Sequence, residues 1–370
     1  MINLAVIYGG NSLENDISII TFLQTVKHID KKYKILPIYL LNKMYIVNDY
    51  ENIDSYINFN DKKAKEVFIS NGYLYRKINN HFIKKICKLD VALLCTHGGN
   101  GENGALQGLL EINKIPYTSP NVLMSAIGMN KRVTKSIAKS IGINVLNGVS
   151  ISNCDEIDLI ESHLEFPVIT KPMSQGSSIG ISISNDINEL MENLNVAFKF
   201  DTKVLIERAL ENFREFNIAV YKNSEDIVVS FIDEPVLWKD YLSFDDKYIS
   251  GENIKHNYPA DIPSKIQEYI KKTAKRVYEF LDGKGVVRLD YLLDLDTNKV
   301  YLNEINTIPG SLAFYLFKEN SITFDKIIDD MINEAMEGFK KATKPTFDTK
   351  VLQNYKTTSN VYCKGGSKII

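Results

Sequence analysis

Cysteine is scarce in this chain of 370 residues: Cys87, Cys95, Cys154 and Cys363 stand scattered, without the paired spacing of a metal site. They read as free thiols in a reducing compartment. Long apolar runs are missing as well. No stretch of about 18 uncharged apolar residues occurs, which argues against a transmembrane helix. The opening MINLAVIYGG lacks a basic lead and a small-residue cleavage site, so it reads as a first strand rather than a signal peptide. A charge imbalance is absent too. The net charge is −2, and acidic residues interleave with the lysines of KKICK and KSIAK. That pattern leaves no track for a nucleic-acid backbone. Neither a nucleic acid nor a membrane is expected as partner, and the expected location is cytoplasmic.

What is present is an ordinary globular composition, 44% apolar and 24% charged, over a length that implies two or three subdomains. Residues 2–8 form an apolar strand ending at Gly9-Gly10; a helical pattern through ISIITFLQTVKHI and a second strand, KILPIYLL, complete a βαβ opening. A third buried strand, LDVALLCTH, leads into the turn-rich GGNGENG, then the helix ALQGLLEINK and the short strand IPYTS. Alternating strands and helices predict a mostly parallel α/β sheet with its functional loops at the strands' carboxyl ends. NVLMSAIGMNKRVTKSIAKSIG reads as one helix stopped by Gly142, after which an α+β unit begins. Its strands are FPVITKP, GISISN, KVLIERA, REFNIAVYK and EDIVVSFIDEPV; a helix over 264–281, the strands GVVRLDYLLD and KVYLNEIN, and a helix from FDKII onward follow. The segment WKDYLSFDDKYISGENIKHNYPA (238–260) lacks a period and is long for a passive loop, which favours a lid over 240–258. The tail from about 345 is polar and patternless, and loosely held order is expected there.

Three stretches carry chemistry. In KPMSQGSSIG (171–180) a lysine ends a buried strand before a Gly-Ser-Ser loop, whose N–H and hydroxyl groups suit an oxyanion. Alone, that loop is equally the tip of a plain hairpin. In VVRLDYLL, Arg288 and Asp290 share one strand face, and in YLNEIN so do Glu304 and Asn306. Either strand alone is simply wet on one side. Together they offer three oxygen ligands and an arginine, the set that Mg²⁺ or Mn²⁺ beside phosphates requires; without His or Cys, zinc is disfavoured.

With these residues in hand the chain resembles the ATP-grasp superfamily, and within it the D-alanine–D-alanine ligase family. The likeness spans about residues 3–335, and its motifs stand in the family order: GGNSLENDIS (9–18), THGGNGENGALQGLLE (96–111), MNKRVTK (129–135), KPMSQGSSIG, the Glu207…Glu215 pair, DDKYISG, RLDYLL and NEINTIPG. The resemblance implies an α/β and α+β architecture: an ATP-grasp fold preceded by a Rossmann-like parallel-sheet domain. The implied boundaries are 1–122 for the N-terminal domain, 123–212 for the small ATP-grasp subdomain, 213–344 for the large one, and 345–370 for the tail.

The implied activity is ATP-dependent ligation of two D-alanines through a D-alanyl phosphate, for peptidoglycan precursors, with two Mg²⁺ ions and a homodimeric state. By the same resemblance Lys131 and Lys171 hold ATP phosphates, with Ser177 and Ser178 beside them. Glu207, Arg208 and Ala209 flank adenine, Glu215 accepts from the ribose, and Lys247 reaches the γ-phosphate. Asp290, Glu304 and Asn306 hold the metals. Glu14 pairs with the first ammonium group, and Ser177 and Tyr248 are its hydroxyl partners. The tyrosine favours an amine nucleophile. His97 lies near the first carboxylate. Arg288 and the Gly310 N–H face the oxyanion.

Three positions depart from the family pattern. Asn103 and Asn130 stand where aspartates are usual, a near-isosteric change. After Pro309-Gly310 the chain runs SLAFYLF, so Tyr315, followed by Leu316, takes the place of the serine that binds the second substrate's carboxylate. Three readings stay open: the phenol replaces the serine; the pocket is rebuilt for another acceptor in a paralogous ligase; or SLAFYLF starts a helix packed on the core. A non-catalytic ATP-binding regulator is the remaining alternative.

Overall fold

The computed structural model describes residues 1–157, 165–235 and 255–342. Three main sheets organise them. The first joins β1 (Ile2–Gly9), β2 (Tyr33–Leu40), β3 (Met44–Ile46), β4 (Lys65–Ser70), β5 (Tyr73–Lys77), β6 (Ile83–Lys88) and β7 (Val91–Leu94) in the order β6-β5-β4-β3-β2-β1-β7. Only β1–β2 and β1–β7 pair in parallel; the steps from β2 to β6 are antiparallel. The expectation of a mostly parallel sheet is therefore corrected. The connections decide it, because a parallel pair needs a crossover of a dozen or more residues. Between β4 and β5 stand only Asn71 and Gly72, both at positive φ (49° and 80°), the hairpin turn that matches strand twist. The strand expected at IPYTS shrinks to a single bridge, Ala92 to Tyr117.

Helix α1 (Asn15–Val26) covers this sheet with an unusually polar inner face: Ser18, Thr21 and Thr25 are buried beside Ile19 and Phe22. The Ser18 hydroxyl satisfies main-chain groups at the strand ends. Ser18 Oγ accepts from Gly9 N (2.6 Å) and donates to the Cys95 carbonyl (2.6 Å).

Two short helices, α2 (Asp54–Ile57) and α3 (Gly99–Glu102), precede α4 (Ala105–Ile112). The single helix expected over 121–142 is two, α5 (Val122–Gly128) and α6 (Lys131–Ser140). Asn130 breaks them apart, because its side chain accepts from Val133 N (3.0 Å) and caps α6.

The second sheet holds β8 (Gly148–Ile151), β9 (Val168–Pro172), β10 (Ser182–Ser184) and β11 (Val204–Arg208), ordered β10-β9-β11-β8 and all antiparallel, with α7 (Ile187–Ala197) on one face. The third is built on β12 (Phe213–Lys222) and β13 (Ile227–Val229). Beside it, β14 (Glu234–Pro235) pairs with β15 (His256–Asn257), and α8 (Ser264–Phe280) leads into β16 (Val287–Asp294) and β17 (Lys299–Asn306). Its order is β13-β12-β16-β17. One face carries Phe216, Ile218, Val220, Leu289, Tyr291 and Ile305 into a core shared with α5, α6 and α8. By strand alternation the opposite face carries Glu215, Asn217, Arg288, Asp290, Glu304 and Asn306. The last helix, α9 (Phe324–Ala342), packs its buried stripe into the core of the first sheet.

Candidate active site

One cleft is lined from all three sheets: Glu14, His97 and Glu102 from the first unit, Lys131 and the 174–177 loop from the second, and Arg288, Glu304, Asn306 and Ile308–Gly310 from the third. Its walls are built from polar side chains on faces that ordinarily would be apolar. The inner stripe of α6 is Lys131, Thr134, Lys135 and Ala138, positions that share a helix face. Burial pushes the pKa of both lysines down.

Glu207, on β11, is the anion that makes this stripe tolerable. Its carboxylate lies 2.7 Å from Lys135 Nζ and 2.9 Å from Lys171 Nζ, with all three side chains almost fully buried. Burial alone would raise the pKa of Glu207, but the two ammonium groups outweigh it and the net direction is down. Lys171 also donates to Asn303 Oδ1 (3.0 Å).

Asn303 owes its position to a bulge. Asp290 pairs with Glu304, yet Tyr291 pairs with Leu302, so Asn303 is the extra residue. Strict alternation would have turned it into the core; the bulge re-aims it toward Lys171.

Across the same strands, Arg288 binds Asp290 with both prongs (2.7 and 2.8 Å), and Asn306 Nδ2 donates to Asp290 Oδ2 (3.0 Å). Burial raises the pKa of Asp290; Arg288 opposes this and the neighbouring carboxyl of Glu304 adds to it. The three oxygen-bearing side chains expected to bind metal thus meet at one end of β16 and β17.

Glu14 occupies the capping position of α1 but makes no capping bond. Ser177 Oγ donates to its Oε1 instead, from the tip of the glycine-rich loop. The approach needs Gly176, since a Cβ there would fall 2.9 Å from Glu14 Oε1. Burial and the nearby Glu102 push the Glu14 pKa up, while Ser177 and His97 pull it down. The loop itself is pinned from below. Ser174 donates from N and Oγ to Asp201 Oδ2 (2.7 and 2.6 Å), and Lys131 Nζ donates to the Gln175 carbonyl.

His97 has both ring nitrogens engaged by protein, Nδ1 with the Ile308 carbonyl (2.7 Å) and Nε2 with Thr21 Oγ1 (2.8 Å). It is placed at the cleft, but its nitrogens serve the 308–311 turn rather than pointing free into the cavity. Glu102 holds the same turn: Oε1 accepts from Thr307 N, Thr307 Oγ1 and Ile308 N (3.0, 3.0 and 2.9 Å), and Oε2 accepts from Gly98 N (2.9 Å).

The turn continues into an unusual segment. Ser311, Leu312 and Ala313 all have φ near +50°, a conformation costing roughly 1–2 kcal/mol for each non-glycine residue. Burial holds it, for Leu312, Ala313, Leu316 and Phe317 are sunk in the first sheet's core. That accounts for the greasiness of SLAFYLF. The Leu316 side chain is turned away from the cleft, and its carbonyl accepts from Tyr258 Oη (2.6 Å). Tyr315 is partly buried; burial pushes the pKa of its phenol up, and the charge of the nearby Arg288 opposes the rise.

Glu215 shares the polar sheet face with Asp290. Arg208 is exposed, and the Ala209 N–H is taken by the Pro167 carbonyl (2.9 Å). Ser178, at φ 59°, follows Ser177 in the loop. Lys247 and Tyr248 lie outside the described residues, as do most of the expected lid and the tail. Sequence reasoning assigned no part to Thr21, Lys135 or Asn303. The first two were detectable as polar residues recurring on an inner helix face; the third was not.

Comparison with known proteins agrees along most of the chain. The family model for the D-Ala–D-Ala ligase N-terminus matches residues 3–120, and that for the C-terminus matches residues 137–333. A D-alanine–D-alanine ligase from Thermosipho africanus is 39% identical over 357 residues, covering 92% of this chain and 95% of the relative. Among solved structures, the D-alanine–D-alanine ligase of Helicobacter pylori superposes with a TM-score of 0.73 at 28% identity, covering 94% of this chain and 100% of that one. A D-Ala:D-Ser ligase from Enterococcus faecalis gives 0.75 at 26% identity, over 90% and 98%.

Proposed function

The chain belongs to the D-alanine–D-alanine ligase family, and from that premise we propose that it joins two D-alanines in an ATP-dependent reaction that supplies peptidoglycan precursors. The observation that carries the reading is the convergence of buried cations and oxygen ligands on one cleft. Lys131 and Arg288 face Glu304 and Asn306 there, with Glu14 and the glycine-rich loop opposite, and Lys171 stands behind them on Glu207 and Asn303.

The first D-alanine docks with its ammonium on Glu14, whose carboxylate Ser177 orients. Its carboxylate oxygen attacks the γ-phosphoryl group of ATP and ADP departs, leaving an acyl phosphate. Such a step asks for charge neutralisation and alignment more than for a strong base. Lys131 and Lys171 supply the positive charge, Lys171 being held by Glu207 and Asn303; Glu207 faces the adenine and Glu215 the ribose.

Asp290, Glu304 and Asn306 would hold Mg²⁺, with Mn²⁺ as a substitute. The set fits: every donor is a hard oxygen, and the crowding of Asp290 by Glu304 is the strain a divalent cation relieves. The cation would neutralise the phosphate oxygens as charge develops.

The amine of the second D-alanine then attacks the acyl carbon. Phosphate leaves, carrying the bridging oxygen. Arg288, oriented by Asp290, and the Gly310 N–H receive the tetrahedral oxyanion. Tyr315, close to Arg288, would meet the second carboxylate. A different acceptor gains little support, since the apolar half of SLAFYLF is accounted for by core packing.

The proposed boundaries at 122 and 212 are supported by the confinement of each sheet to one span, and the one at 344 lies outside the described residues. Among the described residues no helix is long and apolar enough to cross a membrane. A cytoplasmic homodimer fits the family.

The test is ADP release with D-alanine alone and with D-alanine plus other amines, products identified by mass. The expected result is D-alanine-dependent ADP release matched by dipeptide. Release only with a second, different acceptor would sink the D-alanyl-D-alanine assignment.

A further inference from the structure

The turn from Ile308 to Ser311, which bears the Gly310 N–H, is gripped at both ends by a hydrogen-bonded chain. Ser311 N donates to Thr21 Oγ1 (2.9 Å), Thr21 Oγ1 meets His97 Nε2 (2.8 Å), and His97 Nδ1 meets the Ile308 carbonyl (2.7 Å). The directions of these bonds follow from chemistry. A carbonyl only accepts, so Nδ1 carries the proton. An amide N–H only donates, so Thr21 accepts from Ser311 and has its one hydrogen left for Nε2. Each member thereby sets the next. The chain is closed by a neutral Nδ1–H imidazole, and burial, which pushes the His97 pKa down, agrees with it.

Thr21 is completely buried and lies on α1, outside every residue of the cleft lining. A buried threonine on an inner helix face ordinarily bonds back to its own helix, as Thr25 does to the Thr21 carbonyl (2.7 Å). Thr21 bonds across to two other segments instead. The turn it grips is also the strained one, with three successive left-handed residues beginning at Ser311, the residue whose N–H it accepts. Removing the acceptor would leave that N–H without its partner at the point where the strain begins.

We infer that Thr21 is a positioning residue for the second half of the reaction: with His97 it fixes the turn that presents the Gly310 N–H to the oxyanion. This rests on the ligase reading. The role predicts a split between half-reactions. Acyl phosphate formation depends on the lysines and metal ligands across the cleft, whereas attack by the amine depends on the turn.

The experiment compares the full chain with Thr21→Val, which keeps the shape and removes the hydroxyl, and Thr21→Ser, which restores it. Two rates are measured: dipeptide formation, and D-alanine-dependent positional isotope exchange in ATP, which reports reversible acyl phosphate formation. Thr21→Val should lower dipeptide formation about tenfold, the loss of one well-aligned buried bond, with isotope exchange changed by less than about twofold. Thr21→Ser should recover most of the dipeptide rate. Equal losses in both variants, equal losses in both rates, or a valine variant indistinguishable from wild type would each overturn the role. Wild-type protein that forms no dipeptide would instead overturn the ligase reading beneath it. Because the serine variant retains the hydroxyl, its recovery is informative even if valine weakens the fold.

Discussion

Asp290 is a heavily contested carboxylate beside the cleft. Two prongs of Arg288 and the amide of Asn306 bind it, and Glu304 faces it across the strand pair. A residue so placed orients the arginine as much as it offers oxygen to a cation. Glu304 lines the cavity directly, so it is the better probe of metal binding. Glu304→Gln removes one anionic ligand without changing shape. Turnover is expected to fall on the order of 100-fold with an unchanged far-ultraviolet spectrum. Unaltered turnover at saturating Mg²⁺ would remove Glu304 from the metal site. Residues of this kind were legible early, because charges at alternate positions on two neighbouring apolar strands have few explanations. Asn303 was not legible: the same alternation assigns it to the core, and only the bulge contradicts it.

Among elements, α1 and α6 repay comparison. Both carry an inner face rich in hydroxyls or ammonium groups; α6 lends Lys131 from that face to the cleft, while the hydroxyls of α1 act from behind it. An unpaired lysine on such a face would be destabilising, and Glu207 offsets Lys135 together with Lys171 of β9. The start of α6 depends on Asn130, and Lys131 is the first residue after that cap. Asn130→Ala should therefore cost about 1 kcal/mol in denaturant unfolding. It should also raise the KM for ATP more than that for D-alanine, as Lys131 loosens. Equal shifts in the two constants would separate the cap from phosphate binding. The break at Asn130 was concealed by the reading of 121–142 as one helix, because the cap that makes it is a single residue. The antiparallel steps after β2 were concealed for a similar reason, being set by short turns such as Asn71-Gly72 rather than by the strands.

At the scale of the whole molecule, the cleft exists because three sheets are tied together by side chains far apart in the chain. Glu102 reaches Thr307 and Ile308, Ser177 reaches Glu14, and Lys171 reaches both Glu207 and Asn303. These ties explain why motifs spread over some 300 residues act as one site; their order was readable, whereas the clamps on the 308–311 turn required coordinates. The central claim is that one carboxylate oxygen passes from D-alanine to phosphate on the way to a peptide bond. D-Alanine labelled with ¹⁸O in its carboxylate tests it directly. One labelled oxygen should appear in inorganic phosphate for each D-alanyl-D-alanine formed; dipeptide formation with unlabelled phosphate, or labelled phosphate with no dipeptide, would contradict the account.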